Sequence, residues 1–297
     1  MVALKGILPA VPTPFTSDGN HVDVQVVQTQ VERLIGAGVH GLVATGTTGE
    51  FTTLSQEEYR TVIKAYIDAA AGRVPVFAGF AALTNKQAVE TAQWCEAAGA
   101  AGCMIVPPFY DALPFGVLKK FLTEVCASVK IPFMYYNLPS ATGIKLTADE
   151  IRELGQIKGL EYLKDTSGDA KEQVDMLTNP VTPGNVTLLN GWDTLTFSAL
   201  ALGGTATVWG AASVVPRETV EFWETLAVKG DLKTAREQWK FLWAVSDFLE
   251  SVNYAAGIKA GCEIVGAAAG PVRPPNEPLT KEEYQRFESI LSQRKYK

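Results

Sequence analysis

Two histidines, His21 and His40, are all that this chain of 297 residues contains, and they lie far apart with no cysteine or acidic cluster beside either. That scarcity argues against a zinc site. Cysteine is also sparse. Cys95, Cys103, Cys126 and Cys262 form no Cys-x-x-Cys pair and each sits among apolar residues. They are expected as buried free thiols in a reducing compartment, not as a disulfide frame. No run of about 18 apolar residues is present to span a membrane, and the start, Met1-Val2-Ala3-Leu4-Lys5-Gly6, lacks the apolar core of a secretory leader. A basic excess is missing too. The chain has 26 Lys and Arg against 32 Asp and Glu, a net charge of −6 with no basic stripe, which excludes an extended nucleic-acid surface. These absences predict a cytoplasmic globular protein with no metal, no membrane partner and no nucleic-acid partner.

What the chain does have is a rhythm. No linker, low-complexity segment or charge block divides it, and short apolar runs alternate with helical patterns. The strand-like runs are Ile7–Val11, Gly41–Ala44, Pro75–Ala78, Gly102–Val106, Pro132–Tyr136, Gly159–Lys164, Val186–Leu189 and Thr205–Val208. Helical patterns follow them at Val24–Gly36, Gln56–Ala71, Lys86–Ala98, Phe115–Ser128, Ala148–Leu154, Asp169–Thr178 and Thr194–Leu202. More follow at Arg217–Val228, Leu232–Ser251, Ala256–Val265 and Lys281–Ser292. Ser55 with Glu58, Thr147 with Glu150 and Thr280 with Glu283 have the spacing of capping boxes. Eight strand–helix units predict an α/β fold, a (β/α)8 barrel over residues 1–215, with a helical extension over 216–297 packed on it. An open doubly wound sheet is the other candidate, but no Gly-x-Gly-x-x-Gly follows the first strand.

A barrel places its chemistry at the C-terminal ends of its strands, and four exits stand out. Thr45-Gly46-Thr47-Thr48-Gly49-Glu50 follows the second strand. It reads either as a tight turn or as a nest whose amides converge on an anion, with a carboxylate the natural guest. Pro107-Pro108-Phe109-Tyr110-Asp111 follows the fourth, a stiff exit carrying aromatics. The fifth ends in Tyr135-Tyr136-Asn137, of which only one tyrosine faces the barrel axis. The sixth ends in Lys164-Asp165-Thr166. A lysine among apolar barrel residues loses solvation of its charged form, and the neutral amine is the form that attacks a carbonyl. On these residues alone Lys164 serves equally as a nucleophile or as the ion-pair partner of Asp165 or another carboxylate. Taken together, a nest, a phenol and a barrel lysine suit imine chemistry on a 2-oxo acid without an organic cofactor.

At these positions the sequence resembles the class I pyruvate-dependent aldolase superfamily, which includes dihydrodipicolinate synthase and N-acetylneuraminate lyase. The resemblance runs from Gly6-Ile7 to about Leu291. It rests on Gly46-Thr47-Thr48-Gly49-Glu50, Tyr136-Asn137-x-Pro139, Lys164 and Gly203-Gly204. It implies that Lys164 forms the Schiff base and that Tyr136 relays protons. It implies that Thr47 links that phenol to a second tyrosine, while the Thr47 and Thr48 amides hold the pyruvate carboxylate. Tyr110 matches a tyrosine that enters from a neighbouring subunit, and a homotetramer made of two tight dimers is implied with it. Gly49, Ala141, Thr166, Trp192 and Val208 are expected to complete the substrate site.

The sequence departs from the best-known members at two places. Dihydrodipicolinate synthase typically carries an arginine where this chain has Ala141 in Pro139-Ser140-Ala141-Thr142-Gly143. Ala141 removes the planar fork that would bind a carboxylate in two places. Sialate lyases carry an acidic residue where Thr194 follows Gly191-Trp192-Asp193. Lys164-Asp165-Thr166 resembles the branch that handles 2-keto-3-deoxy sugar acids. Trp192 and Trp209 are read either as lining a distal pocket for an apolar or flat aldehyde or as packing under the C-terminal helices. The expected reaction joins pyruvate and an aldehyde, or cleaves the corresponding 4-hydroxy-2-oxo acid. The alternatives are 4-hydroxy-tetrahydrodipicolinate synthase, a dehydratase or deaminase using the same lysine, and a non-catalytic sensor, against which the retention of Lys164, Tyr136, Tyr110 and Thr47 together argues.

Overall fold

Eight parallel strands form one sheet that curls back on itself in the computed structural model, which describes residues 4–179 and 186–296. Met1, Val2 and Ala3 of the opening segment lie outside the described residues. The strands are β1 (Gly6–Pro9), β2 (Leu42–Ala44), β3 (Val76–Ala81), β4 (Gly102–Val106), β5 (Phe133–Asn137), β6 (Leu160–Asp165), β7 (Thr187–Asn190) and β8 (Ala206–Trp209). Their order is β1-β8-β7-β6-β5-β4-β3-β2. A parallel bridge from Ala10 to Val43, with the Val11 amide donating to the Val43 carbonyl at 3.0 Å, brings the two ends of the sheet together. The expected (β/α)8 barrel is the observed fold.

Parity along each strand sorts the core into two layers, because alternate side chains point to opposite faces. Leu8, Val43, Phe77, Met104, Met134, Tyr136, Tyr162, Leu189, Ala206 and Val208 pack together inside the barrel. Ile7, Leu42, Ala78, Cys103, Ile105, Phe133, Tyr135, Leu163 and Trp209 belong to the outer layer beneath the helices. Tyr136 is thus the axial tyrosine of its pair and Tyr135 the outer one. The same parity settles Trp209. Its neighbour Val208 points inward, so Trp209 points outward and is fully buried against Phe222 and Trp239, with its indole N–H 3.3 Å from Ser246 Oγ. The reading that it lines a distal pocket is therefore corrected.

All three predicted capping boxes form, at Ser55, Thr147 and Thr280. Two long helical patterns are broken. Arg217–Val228 divides into an α-helix, Pro216–Trp223, and a π-helical turn, Glu224–Val228. Thr194–Leu202 divides into a 3₁₀ turn, Asp193–Leu195, and a helix, Thr196–Ala201. The Thr194 amide is bonded to the Glu250 carboxylate of a distant helix, at 2.9 Å. Two short helices, Pro139–Thr142 and Ala211–Val214, have too few residues to show a periodicity in sequence.

The helices after β8 grip the barrel mouth through a buried ion pair. Lys259, on the helix Tyr254–Ile264, lies 2.7 Å from Glu50 at the end of the β2 loop, and both side chains are buried. Glu50 has a left-handed backbone, φ 53°, and also accepts from the Arg273 amide at 2.9 Å and from Asn276 at 3.2 Å. Lys259 donates to the Pro271 carbonyl and sits 4.1 Å above the Phe15 ring. Removing one partner of such a pair strands a buried charge, at a cost of about 3–5 kcal/mol. Lys259→Met is expected to lose stability in that range by urea denaturation. The double variant with Glu50→Gln is expected to recover part of the loss, because the orphaned charge goes with it.

Candidate active site

The β2 loop is built to present two amides. Thr45 takes φ 54°, and its hydroxyl lies 2.7 Å from the Gly79 carbonyl of β3. An added Cβ at Gly79 would lie 2.9 Å from the Ala44 carbonyl, so the glycine permits this close approach. Inside the loop the amides of Gly49, Glu50 and Phe51 are used by the carbonyls of Gly46, Thr47 and Gly46. The amides of Thr47 and Thr48 have no acceptor among the described residues. The tight-turn reading holds, since the turn consumes three amides, and the two unpaired amides are what the nest reading requires.

Across the mouth, Lys164 leaves β6 with its side chain buried and its amine 3.9 Å from the centre of the Tyr136 ring. It makes no ion pair with Asp165. That carboxylate faces the other way, accepting from Asn137 Nδ2 at 2.8 Å and from the Ser167 amide and hydroxyl at 3.2 and 3.1 Å. Burial holds the Asp165 carboxyl above its ordinary value. The space for Lys164 comes from β7. A Cβ on Gly191 would lie 2.7 Å from Lys164 Cγ and Cε and 2.3 Å from Thr166 Oγ1. Burial alone would push the Tyr136 phenol up, but the Lys164 amine and the Thr47 hydroxyl beside it outweigh burial and leave the phenol below its ordinary value.

These groups share a cavity of about 220 Å³ at the C-terminal end of the barrel. Thr47, Thr48, Tyr136, Lys164, Thr166, Trp192 and Val208 from the sequence reading all line it. Gly49 lies behind the loop instead, where a Cβ would be 2.9 Å from the Thr45 backbone and where its carbonyl accepts from Thr13 at 2.6 Å. Ala141 is exposed on the helix Pro139–Thr142 and does not line the cavity. Tyr110 points into solvent, 85% exposed, also away from the cavity of its own chain.

Three polar lining residues are not among the expected site residues: Asp193, Glu250 and Tyr254. Asp193 is buried just past β7 and accepts the Tyr254 hydroxyl at 2.7 Å. Gly210 makes room for that hydroxyl, which a Cβ there would meet at 2.1 Å. Burial raises the Asp193 carboxyl to about 7, with the Glu250 charge adding to the rise. Glu250 ends the helix Leu232–Glu250 and accepts from the Thr194 amide at 2.9 Å and the Thr194 hydroxyl at 2.8 Å. Among the described residues no group of three or more His, Cys, Asp or Glu side chains converges to hold a metal ion, and no helix is long and apolar enough to cross a membrane.

A barrel with these groups at its mouth defines a class I lyase, one that works through a lysine Schiff base, and known proteins agree. Residues 3–294 match the dihydrodipicolinate synthetase family, and the chain belongs to it. It is 33% identical over 292 residues to the 4-hydroxy-tetrahydrodipicolinate synthase of Methanospirillum hungatei, covering 97% of this chain and 98% of that one. The crystal structure of dihydrodipicolinate synthase from Acinetobacter baumannii complexed with pyruvate superposes with a TM-score of 0.91 at 27% identity, covering 98% of each chain. YagE, a family member from E. coli K12 also in complex with pyruvate, gives 0.90 at 28% identity, covering 98% of this chain and 99% of its own.

The Asp193 carboxyl has a defined pH signature. Its folded value of about 7 lies above its ordinary 3.8, so the folded chain keeps a proton there that the unfolded chain releases. Stability contributed by that proton is complete below about pH 4 and is lost as pH rises to about 7. Asp193→Asn is therefore expected to gain thermal stability relative to the unsubstituted chain across that window, with little further change on either side. Melting curves at about pH 4 and about pH 7 measure the difference.

Proposed function

We propose that the chain catalyses aldol cleavage or condensation in which pyruvate is held as an imine on Lys164. The observation that carries this reading is the placement, in one small cavity, of a buried amine on the axial phenol and two unused backbone amides opposite it. The Thr47 and Thr48 amides bind the pyruvate carboxylate and so fix the ketone before the Lys164 amine. Attack of the amine on the ketone carbon and loss of water give a protonated imine, which draws electrons from the adjacent methyl group. Loss of a methyl proton gives an enamine. Its carbon bonds to the aldehyde carbon, the aldehyde oxygen takes a proton, and water releases the 4-hydroxy-2-oxo acid. The reverse sequence cleaves that acid. Tyr136 passes the protons at the reacting oxygen, helped by a phenol that ionises more readily than an ordinary tyrosine.

The aldehyde half of the site, beyond Thr166, is bounded by Trp192, Asp193, Val208, Glu250 and Tyr254. This composition favours the 2-keto-3-deoxy sugar acid or 4-hydroxy-2-oxo acid type. The name shared by the relatives, 4-hydroxy-tetrahydrodipicolinate synthase, supports the other reading, synthesis in the lysine pathway. Ala141 in place of the loop arginine weighs against that reading. With Phe109 and Tyr110 exposed on the β4 exit, we also propose that a second copy of the chain covers this edge in a homotetramer built from two dimers, bringing Tyr110 to a neighbouring site. The four free, buried cysteines support a cytoplasmic setting.

Borohydride reduction in the presence of pyruvate tests the mechanism. A reduced pyruvyl adduct is expected on the peptide containing Lys164, identified by mass spectrometry, and an unmodified Lys164 would sink the reading. Lys164→Ala is expected to abolish both the adduct and turnover while keeping the thermal transition. Tyr136→Phe is expected to lower kcat by about 10²–10⁴-fold, the usual contribution of a positioned proton donor and acceptor. Stopped-time assays of pyruvate release from a 4-hydroxy-2-oxo acid measure that loss.

A further inference from the structure

Thr194 stands where a sialate lyase carries an acidic side chain, yet the wall beside it is not without a carboxylate. Glu250 supplies one from the far end of the chain. Its Oε1 accepts from the Thr194 amide at 2.9 Å and its Oε2 from the Thr194 hydroxyl at 2.8 Å, while the side chain borders the same cavity as Lys164. A carboxylate offers about four acceptor positions. Thr194 uses two of them and fixes the orientation of the group, and the Trp192 side chain also turns toward it, so at least one position remains for a ligand donor at the mouth.

The charge of the wall narrows what that donor can be. Among the described residues Lys164 is the only basic side chain lining the cavity, and it is engaged by pyruvate in the proposed reaction. Asp193 and Glu250 are the acidic ones. An aldehyde bearing its own carboxylate would bring a negative charge against Glu250 with no cation to receive it, a like-charge contact that selects against such a partner. Aldehydes with hydroxyl groups meet the opposite situation, since each hydroxyl can donate to a carboxylate that is already oriented.

We propose that Glu250 is a specificity-determining residue, accepting a hydrogen bond from a hydroxyl group of the aldehyde, so that the enzyme takes neutral hydroxyaldehydes and rejects aldehydes that carry a carboxylate. The proposal rests on the imine reading of Lys164 and names the class of its second substrate. It also separates Glu250 from a mere brace for Thr194. A brace would affect every aldehyde alike, because Thr194 and its turn serve all of them equally.

The test uses three aldehydes with pyruvate: glyceraldehyde, propanal, which has the same carbon chain without hydroxyls, and succinic semialdehyde, which carries a carboxylate. The unsubstituted enzyme is expected to show kcat/KM for glyceraldehyde at least about 10-fold above that for succinic semialdehyde. Glu250→Gln is expected to lower kcat/KM for glyceraldehyde by about 10-fold, the scale of a hydrogen bond to a charged group. It is expected to leave propanal within about twofold and to raise succinic semialdehyde relative to both. An equal loss on all three aldehydes would assign Glu250 to bracing and overturn the proposal. So would a preference of the unsubstituted enzyme for succinic semialdehyde, or no turnover of glyceraldehyde by a protein that does form the borohydride adduct. The borohydride reaction contains pyruvate and no aldehyde, so failure of the imine reading appears there and is not confused with failure at Glu250.

Discussion

The site depends on a missing side chain. Lys164 can lie folded across the barrel mouth because Gly191, at the exit of the neighbouring strand, has no Cβ to occupy the space of its stem. Any larger residue would press on Lys164 Cγ and Cε and on Thr166 Oγ1 together, and the amine would have to leave the Tyr136 ring. Lys164 and Asp165, adjacent in sequence, do not pair, and the reason lies in the strand itself. Strand parity sends them to opposite faces, and Asn137 and Ser167 take up the carboxylate on the outer side. A lysine that reads ambiguously by itself is thus separated from its nearest anion by the geometry of the strand that carries it.

The barrel does not make the cavity unaided. Helices that follow β8 in the chain reach back to its mouth at three points. Lys259 holds Glu50 and with it the end of the amide-presenting loop, Tyr254 enters the gap at Gly210 to hold Asp193, and Glu250 holds Thr194. Each contact joins a residue late in the sequence to a loop at a strand exit, and those at Glu50 and Thr194 involve a carboxylate. The consequence is a division of labour. In the proposed reaction the strands supply the groups that handle pyruvate, and the C-terminal helices fix the loops and supply much of the wall facing the aldehyde.

That division also explains how much of the molecule is legible in the sequence. The strand–helix alternation, the capping boxes and the fact that one tyrosine of the pair faces inward follow from local periodicity, and Lys164 stands out because a cation at the end of an apolar strand is rare. The loop amides are legible as a candidate because two glycines bracket two threonines. Glu250, Tyr254 and Asp193 carry no such signal. Glu250 ends an ordinary amphipathic helix, and nothing in its neighbours reveals that Thr194, more than fifty residues earlier, will bind it. Trp209 is the instructive counterexample. Its burial under the C-terminal helices follows from the inward position of Val208 by the period of a strand, so parity alone favours packing over a place in the pocket.

Charge accounting at the mouth ties these parts to the proposed chemistry. Asp193 is buried while Glu250 is more exposed at the mouth, so of the two neighbouring carboxyl groups the deeper one keeps its proton more readily. Asp193, buried and beside Glu250, is held near 7, whereas Glu250 at the mouth is raised chiefly by its own partial burial. The Tyr254 phenol, pushed well above its ordinary value, stays protonated and donates to Asp193 throughout. Below about pH 7, where Asp193 holds its proton, Glu250 is the carboxylate that the distal wall presents to a ligand. In the proposed reaction the protonated imine on Lys164 and the carboxylate of pyruvate, held by neutral amides, balance each other within the bound intermediate. A neutral aldehyde placed between the imine and Glu250 keeps this balance, while an anionic one adds a charge with no partner. In the proposed reaction the electrostatics of the wall and the choice of second substrate are therefore one constraint, carried by the carboxylate of Glu250 at the mouth.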